Sequence, residues 1–309
     1  MPTPSVSYVK YEPLESQRLD NFLIGILKSV PRSRIYRIIR KGEVRVNSGR
    51  KKASYQLRQG DLIRVPPVFT TENPAVKVPH GVCELIEAST IYESTDLRVL
   101  DKPEGIPVHA GTGSSFGCIE AVNQMDGDNV SYLCHRLDKD TSGVLLIAKN
   151  KEAMRTYQTY FRESNVQKRY VGLVRGCWST LESEDLVVSE PLTRYHLENG
   201  ERRVKVDASG KKSETLIRLL QVSDHVSLLE FQPVTGRTHQ IRVHAQYLGH
   251  ALLGDQKYAN DRVANLSPRL MLHASELELP NGLKFQAPLP SEFGQVWKNL
   301  TREDLSLPF

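Results

Sequence analysis

His135-Arg136-Leu137-Asp138-Lys139-Asp140-Thr141-Ser142-Gly143 leads without a break into Val144-Leu145-Leu146-Ile147-Ala148. A short apolar run behind a glycine turn reads as a buried core strand. The nine residues before it read as a polar loop at the mouth of that strand. A carboxylate, a guanidinium and a turn glycine held by a rigid element make a candidate site, because loops on rigid scaffolds carry function. Taken alone, a structural turn stabilised by its Asp and Thr side chains is the simpler account.

Downstream, the spacing of Met154, Tyr157 and Phe161 predicts a helix over Lys151–Glu163 with those three facing in. Strands are expected at Gln167–Gly176, Glu214–Val222 and Val226–Gln232, then a helix from His239 to Leu248 that stops at Gly249. Pro280-Asn281-Gly282-Leu283 lies between strand-like runs and signals a hairpin. The class expected is α+β: a mixed, mainly antiparallel sheet with flanking helices.

Upstream, residues 16–66 read as a small separate α+β unit. Leu19, Phe22, Leu23, Ile26 and Leu27 give one helix an apolar face. A second helix is expected over Ser33–Lys41, with Ser33 as its N-cap and Gly42 as its stop. Ile35, Ile38 and Ile39 are its apolar side, and Arg34, Arg37 and Lys41 form a basic stripe on another. Val44 and Val46 alternate with polar residues, Asn47-Ser48-Gly49 turns, and Asp61–Val65 closes the unit as a strand. Pro66-Pro67, Pro74 and Pro79, with polar Thr70–Asn73 among them, mark a linker over 67–82. The rest, 83–309, is expected to be one domain.

Composition limits the alternatives. The 309 residues are 39% hydrophobic and 25% charged, ordinary globular stock. The Val144–Ala148 run is far short of the ~20 residues a membrane helix needs, and residues 1–12 do not read as a signal peptide. Cys83, Cys118, Cys134 and Cys177 form no CxxC pair, which disfavours a disulfide framework or a cysteine zinc site and suits a reducing cytoplasm. Net charge is +5, yet Pro31–Arg58 holds ten Lys/Arg against one Glu, so the rest is mildly acidic. A basic block of this kind suits a polyanionic partner, and a solvated charged face explains it equally well.

Two further segments are rich in polar groups: Lys168-Arg169-Tyr170, opening a strand, and Gly236-Arg237-Thr238-His239-Gln240-Ile241-Arg242-Val243-His244. In a helix, Arg242 lies off the face of Ile241, Ala245 and Leu248 and can reach a carboxylate. His239 and His244 are five apart, a poor match to a helical metal pair. No metal is expected.

HRLDKDTSG, KRYVGLVRG and PVTGRTHQIRVH, in this order and spacing, resemble the RluA-type pseudouridine synthase family. Ile35–Asn47 resembles the S4 RNA-binding domain, a module common ahead of that catalytic domain. Ile35–Asn47, Val65–Val68 and Val108–Gly117 are similar to members that modify uridines of large-subunit ribosomal RNA. Ala251 and Ala259 depart from a Pro and a Gly common there, which touches loop geometry and not chemistry.

The resemblance implies that uridine is isomerised to pseudouridine: the C1′–N1 bond breaks, the uracil turns, and C5 joins C1′. No cofactor is needed, and no phosphate loop or dinucleotide fingerprint is present. Asp138 would act at the sugar, either attacking C1′ or removing the C2′ proton. Arg242 would pair with it, in bidentate fashion, and Tyr170 would pack on the uracil. Arg136 would fill the space of the extruded base, with His135, Arg237, Thr238 and His239 as further substrate contacts. Asp140 reads as a solvated turn residue. RNA would be met by Arg34, Arg37, Arg40, Lys41 and Arg45. The partner expected is large-subunit ribosomal RNA or its precursor particle, met by a monomer with no membrane attachment. Other readings are the same reaction on transfer RNA, a non-catalytic ribosome-assembly factor that kept the S4 module, and an RNA N-glycosidase. The assembly factor would have let Asp138, Tyr170 or Arg242 erode. The glycosidase would usually need a second placed acid.

Replacing Arg34, Arg37 and Lys41 together with neutral residues should weaken RNA binding. It should also flatten the salt dependence of log Kd by about 0.7–0.9 for each phosphate that is no longer neutralised. A filter-binding series across salt concentrations checks this; an unchanged slope would mark the stripe as ordinary surface.

Overall fold

Leu19 and Leu23 from one helix meet Ile35, Ile38 and Ile39 from the next, and all five leave water. That packing is the seed of the first of two units, residues 1–76 and 77–309, in a computed structural model of the chain. The structure describes residues 6–13, 15–27, 30–67, 77–111, 113–127, 129–178 and 185–306. The expected linker residues Thr70–Asn73 and Pro74, and Thr112, lie outside that set.

The first unit runs β1 (Ser7–Lys10), β2 (Gln17–Arg18), α1 (Leu19–Ile26), α2 (Arg32–Lys41), β3 (Arg45–Val46), β4 (Gln56–Leu57) and β5 (Leu62–Val65). One sheet has the order β1-β5-β3, and β2 pairs with β4. Gly42 ends α2 in a left-handed conformation, φ 72°, with its amide on the Ile38 and Ile39 carbonyls. Ser33 is not the N-cap. The helix starts one residue earlier, because the Pro31 carbonyl accepts the Arg34 and Ile35 amides at 2.9 and 3.1 Å. Arg37, Arg40 and Lys41 are exposed, while Arg34 is half-buried. Arg45 is also half-buried, and its guanidinium donates to the Gly42 carbonyl at 3.0 Å.

The second unit continues with α3 (His80–Ala88), β6 (Thr90–Glu93), β7 (Leu97–Lys102), α4 (Cys118–Met125), β8 (Tyr132–Leu133), β9 (Ser142–Ala148), α5 (Lys151–Arg162), β10 (Gln167–Arg175), β11 (Leu186–Val188), β12 (Leu192–His196) and β13 (Arg202–Val206). It ends with β14 (Thr215–Val222), β15 (Val226–Pro233), α6 (Gln240–Tyr247), α7 (Asp261–Ala264), β16 (Leu272–Glu278), β17 (Lys284–Gln286) and α8 (Ser291–Thr301). A ten-stranded sheet has the order β11-β14-β15-β10-β16-β9-β7-β6, with β17 on β16 and β8 on β9. Its pairs are antiparallel except β16 with β9, which run parallel. β9 is buried along its whole length, as five consecutive apolar residues require. Asn150 caps α5 by accepting the Ala153 amide at 2.8 Å. The expected hairpin joins β16 to β17, with Gly282 at φ 84° in the turn.

β16 enters the chain last of the three central strands, yet lies between β10 and β9. That order sets the loop before β9 near β10. β12 and β13 form a hairpin outside that sheet, tied to the rest of the unit where the Val204 amide donates to Tyr258 Oη at 3.0 Å.

In the first unit, the Asp20 carboxylate accepts Arg18 Nε and Nη2 at 3.0 and 2.7 Å, the Asn21 amide at 2.9 Å and the Tyr36 hydroxyl at 3.1 Å. The Arg18 bonds hold its pKa down at about 2. A depressed folded-state pKa stabilises above the unfolded value, near 4, and the benefit is lost as pH falls towards 2. Asp20→Asn should therefore cost this unit about 1 kcal/mol at pH 7. It should also remove most of its acid sensitivity between pH 4 and 2. Hydrogen exchange of the α1 amides in the full chain measures both.

Candidate active site

The loop that carries Asp138 is anchored at both sides. Gly143 pairs with Ala274 across the parallel β9–β16 junction and has φ 111°. A Cβ at Gly143 would collide with the Ala274 carbonyl, so only glycine fits the motif there. Ser142 Oγ accepts Arg269 Nη2 at 2.6 Å and lies 2.9 Å from His273 Nδ1. On the other side, the fully buried Lys102 ammonium donates to the carbonyls of Pro103, Ile106 and Lys139 at 2.7, 2.8 and 3.1 Å. Burial lowers its pKa to about 8. Three carbonyls satisfy its three donors, as a buried ammonium requires. Asp138 is left partly exposed in a cleft of about 320 Å³, with Asp140 half-buried in the turn beyond it.

Arg242 approaches from α6 and is only 3% exposed. Its Nη1 lies 3.6 Å from Asp138 Oδ2, close enough for charge attraction and too far for a hydrogen bond. The bidentate partner expected at Asp138 is instead Asp255. Arg242 Nε donates to Asp255 Oδ2 at 2.8 Å, and Nη2 to Oδ1 at 2.6 Å. Asp255 sits in the turn after Gly254, where the Lys257 and Tyr258 amides donate to Oδ1 at 2.9 and 3.0 Å. It therefore meets the Nε–Nη2 edge before Asp138 can. Burial opposes both charges, and their mutual hydrogen bonds outweigh it: Arg242 is held above its ordinary pKa and Asp255 below its own.

His239 stands at the start of α6 in the left-handed region, φ 54°, which non-glycine residues seldom occupy. Its Nε2 is 3.8 Å from Asp138 Oδ2, and its Nδ1 is 2.6 Å from Tyr258 Oη. Tyr258 Oη also accepts the Val204 amide, so the ring of His239 is held from its Nδ1 side with Nε2 towards the acid. Burial lowers the His239 pKa, against the pull of Asp138.

Tyr170 and Lys168 line the same cleft from β10, and Arg136, Arg237 and Thr238 line it from loops. Burial, and then the charge of Asp138, push the Tyr170 phenol well above its ordinary pKa. Lys168 is held at about 8 by burial alone. Arg136 is exposed. His135 forms wall: its ring stacks on Phe161, with centroids 4.4 Å apart, and its Nε2 accepts the Leu146 amide at 3.0 Å. Arg237 Nε is spent on the Lys212 carbonyl at 3.0 Å, and Thr238 Oγ1 accepts Arg194 Nη2. Among the described residues, no group of three or more His, Cys, Asp or Glu is arranged to hold a metal ion, and no helix is long and apolar enough to cross a membrane.

Asp138, Tyr170, His239 and Arg242, all singled out from the sequence, thus meet in one cleft. Asp255, Tyr258 and Gln240 were passed over. Gln240 fixes the turn before α6. Its Oε1 accepts Thr235 Oγ1 and the Arg237 amide at 2.7 and 3.0 Å, and its Nε2 donates to the Glu214 carbonyl and Thr215 Oγ1 at 2.8 and 2.9 Å. The one signal that could have pointed to Asp255 is a lone carboxylate straight after the apolar Ala251-Leu252-Leu253-Gly254 run.

Comparison with known proteins identifies the family. The RNA pseudouridylate synthase family matches residues 96–247, and the S4 domain matches residues 17–63. The ribosomal large subunit pseudouridine synthase C of Pasteurella multocida is 43% identical over 293 residues, covering 91% of this chain and 89% of that protein. Its Haemophilus ducreyi counterpart is 44% identical over 286 residues, covering 89% of this chain and 86% of that one. Among solved structures, human RNA pseudouridylate synthase domain containing 4 has a TM-score of 0.60 at 26% identity, covering 71% of this chain and 95% of that one. The chain belongs to the RNA pseudouridylate synthase family, with an S4 domain ahead of its synthase domain.

Proposed function

We propose that this pseudouridine synthase isomerises uridines of large-subunit ribosomal RNA, and that Asp138 is its essential acid. The observation that carries the reading is a partly exposed carboxylate in a nucleotide-sized cleft, 3.6 Å from a buried guanidinium. The substrate follows from relatives named for the ribosomal large subunit at 43–44% identity over most of both chains.

The target base must first leave its stack, at a cost of a few kcal/mol. Arg136, exposed at the cleft, suits the task of filling the vacated space, since a flat guanidinium stacks and also pairs with phosphate. Asp138 then acts at the sugar, attacking C1′ or taking the C2′ proton. Its oxygens are free to do so, because Arg242 attracts without hydrogen-bonding them. The C1′–N1 bond breaks, the uracil turns against the Tyr170 ring, and C5 bonds to C1′. Loss of the C5 proton and gain of a proton at N1 complete an isomerisation with no net change in atoms. Tyr170 enters this cycle as a protonated phenol, given the direction of its pKa. It therefore suits packing and proton relay better than acting as a free phenolate base.

Residues 16–66 serve as the RNA-binding module, 67–82 as a linker and 83–309 as the catalytic domain. The enzyme works as a cytoplasmic monomer without metal or cofactor.

Asp138→Asn should lower the single-turnover rate by about 10³-fold or more while RNA affinity stays within about twofold. Carbodiimide mapping of ribosomal RNA from a strain deleted for the gene should show pseudouridine restored by the wild-type gene and not by Asp138→Asn. Restoration by the variant would remove the role given to the acid. Restoration by neither, with pseudouridine missing from transfer RNA instead, would move the substrate.

A further inference from the structure

Strands present alternate residues to opposite sides of a sheet, and β1-β5-β3 uses its two sides very differently. Val9, Val46, Ile63 and Val65 turn inward, to the cluster that α1 and α2 close. The outward residues of the three strands are Tyr8, Lys10, Arg45, Leu62 and Arg64, and none is acidic. Tyr8 is 63% exposed and Leu62 45%, and they stand diagonally across the β1–β5 pair. Single apolar side chains at a surface need no explanation, whereas an adjoining aromatic and aliphatic pair among three cations does. β1 lies outside residues 17–63, the stretch that matches the S4 domain, so Tyr8 reaches this face on a strand that the match does not include.

We propose that this outward face is a second RNA-contact surface, which takes a single-stranded segment by stacking a base on Tyr8 and holding its phosphates with Arg64, Arg45 and Lys10. Tyr8, Arg64 and Arg45 are in register across the three strands. With strands about 4.8 Å apart, the row is about 10 Å long, room for a base and its flanking phosphates. Arg64 Nη1 donates to the Glu43 carbonyl at 2.6 Å, and Arg45 Nε to the Gly42 carbonyl at 3.0 Å. These contacts aim both guanidinium groups and leave each Nη2 without a partner among the described residues. Lys10 meets only the exposed Glu12, at 3.3 Å, a pairing too weak to withhold it from a phosphate. A platform of this make suits any base, because every base has a flat face to stack. A protein partner fits the face less well, since the centres of protein interfaces are poor in charged residues and in Lys above all. The inference rests on RNA as the substrate and not on the role of Asp138.

Filter binding of the full chain to an oligouridylate of about 20 nucleotides, beside an RNA duplex of the same length, tests this. Tyr8→Ala should weaken binding of the single strand about tenfold and leave the duplex within about twofold. Tyr8→Phe keeps the ring and should bind both RNAs within about twofold of wild type. Tyr8→Thr keeps the strand propensity and loses the ring, so it should match Tyr8→Ala. Arg64→Gln should lower the slope of log Kd against log salt for the single strand by about 0.7, the value of one phosphate contact. The Tyr8→Ala loss should persist undiminished when Arg34, Arg37 and Lys41 are neutralised, since separate surfaces act additively. Unchanged single-strand binding in Tyr8→Ala would overturn the proposal and leave the face to a protein or to solvent. So would equal losses on both RNAs, a Tyr8→Phe as weak as Tyr8→Ala, or a Tyr8→Thr that binds normally, which would trace the effect to a detached β1. Binding and turnover are separate readouts, so an active Asp138→Asn would refute the reading of the cleft and leave this surface standing.

Discussion

A single guanidinium shared unequally between two carboxylates governs the second unit. Arg242 is carried by α6 into an interior where an unpaired ion would cost several kcal/mol. Asp255 removes that cost by bidentate pairing, and Asp138 takes the remaining attraction at 3.6 Å without a hydrogen bond. One carboxylate of the three groups is thereby left without a hydrogen bond from the guanidinium, and it is the one that faces the cleft.

The sheet order makes this sharing possible. β9 and β10 are joined through α5, yet β16 separates them, entering long afterwards and parallel to β9. The Asp138 loop is thus clamped from β16 through Ala274 and His273, and by Arg269 just ahead of that strand, in contacts with Gly143 and Ser142 that span more than a hundred residues of sequence. Lys102, at the end of β7, holds the same loop from the other side. Both clamps come from strands that flank β9, so the acid inherits the rigidity of the sheet centre and not the mobility of a surface turn.

What was legible in the sequence follows from range. The β9 strand, the α5 helix and the hairpin at Gly282 are written in neighbouring residues, and the structure holds all three. The three motifs stood out because each packs unusual polar residues against an apolar run, and the family resemblance then singled out Asp138, Tyr170 and Arg242 within them. The bidentate partner of Arg242 differs from the one expected for a physical reason: a buried guanidinium chooses by geometry, and no spacing in sequence ranks Asp138 against Asp255. The Ser33 cap failed on a smaller scale, since the Pro31 carbonyl accepted the first helical bonds before a side chain was needed. Strand β1 pairs with β5 from the far end of its unit, a pairing that no local pattern can announce.

Much of the holding force around the cleft is main-chain in origin. The Lys257 and Tyr258 amides fix Asp255, the Val204 amide fixes the Tyr258 hydroxyl, and that hydroxyl sets which nitrogen of His239 faces Asp138. Backbone amides survive every side-chain substitution except proline, so this scaffold tolerates sequence drift in the residues that supply them. Sensitivity then concentrates in the few side chains that convert those amides into direction. Asp255 does so for charge, and Tyr258 for both the ring of His239 and the face of Arg242. The turn from Gly254 to Tyr258 is therefore as much a part of the site as the helix that bears the guanidinium, although neither residue reaches the acid itself.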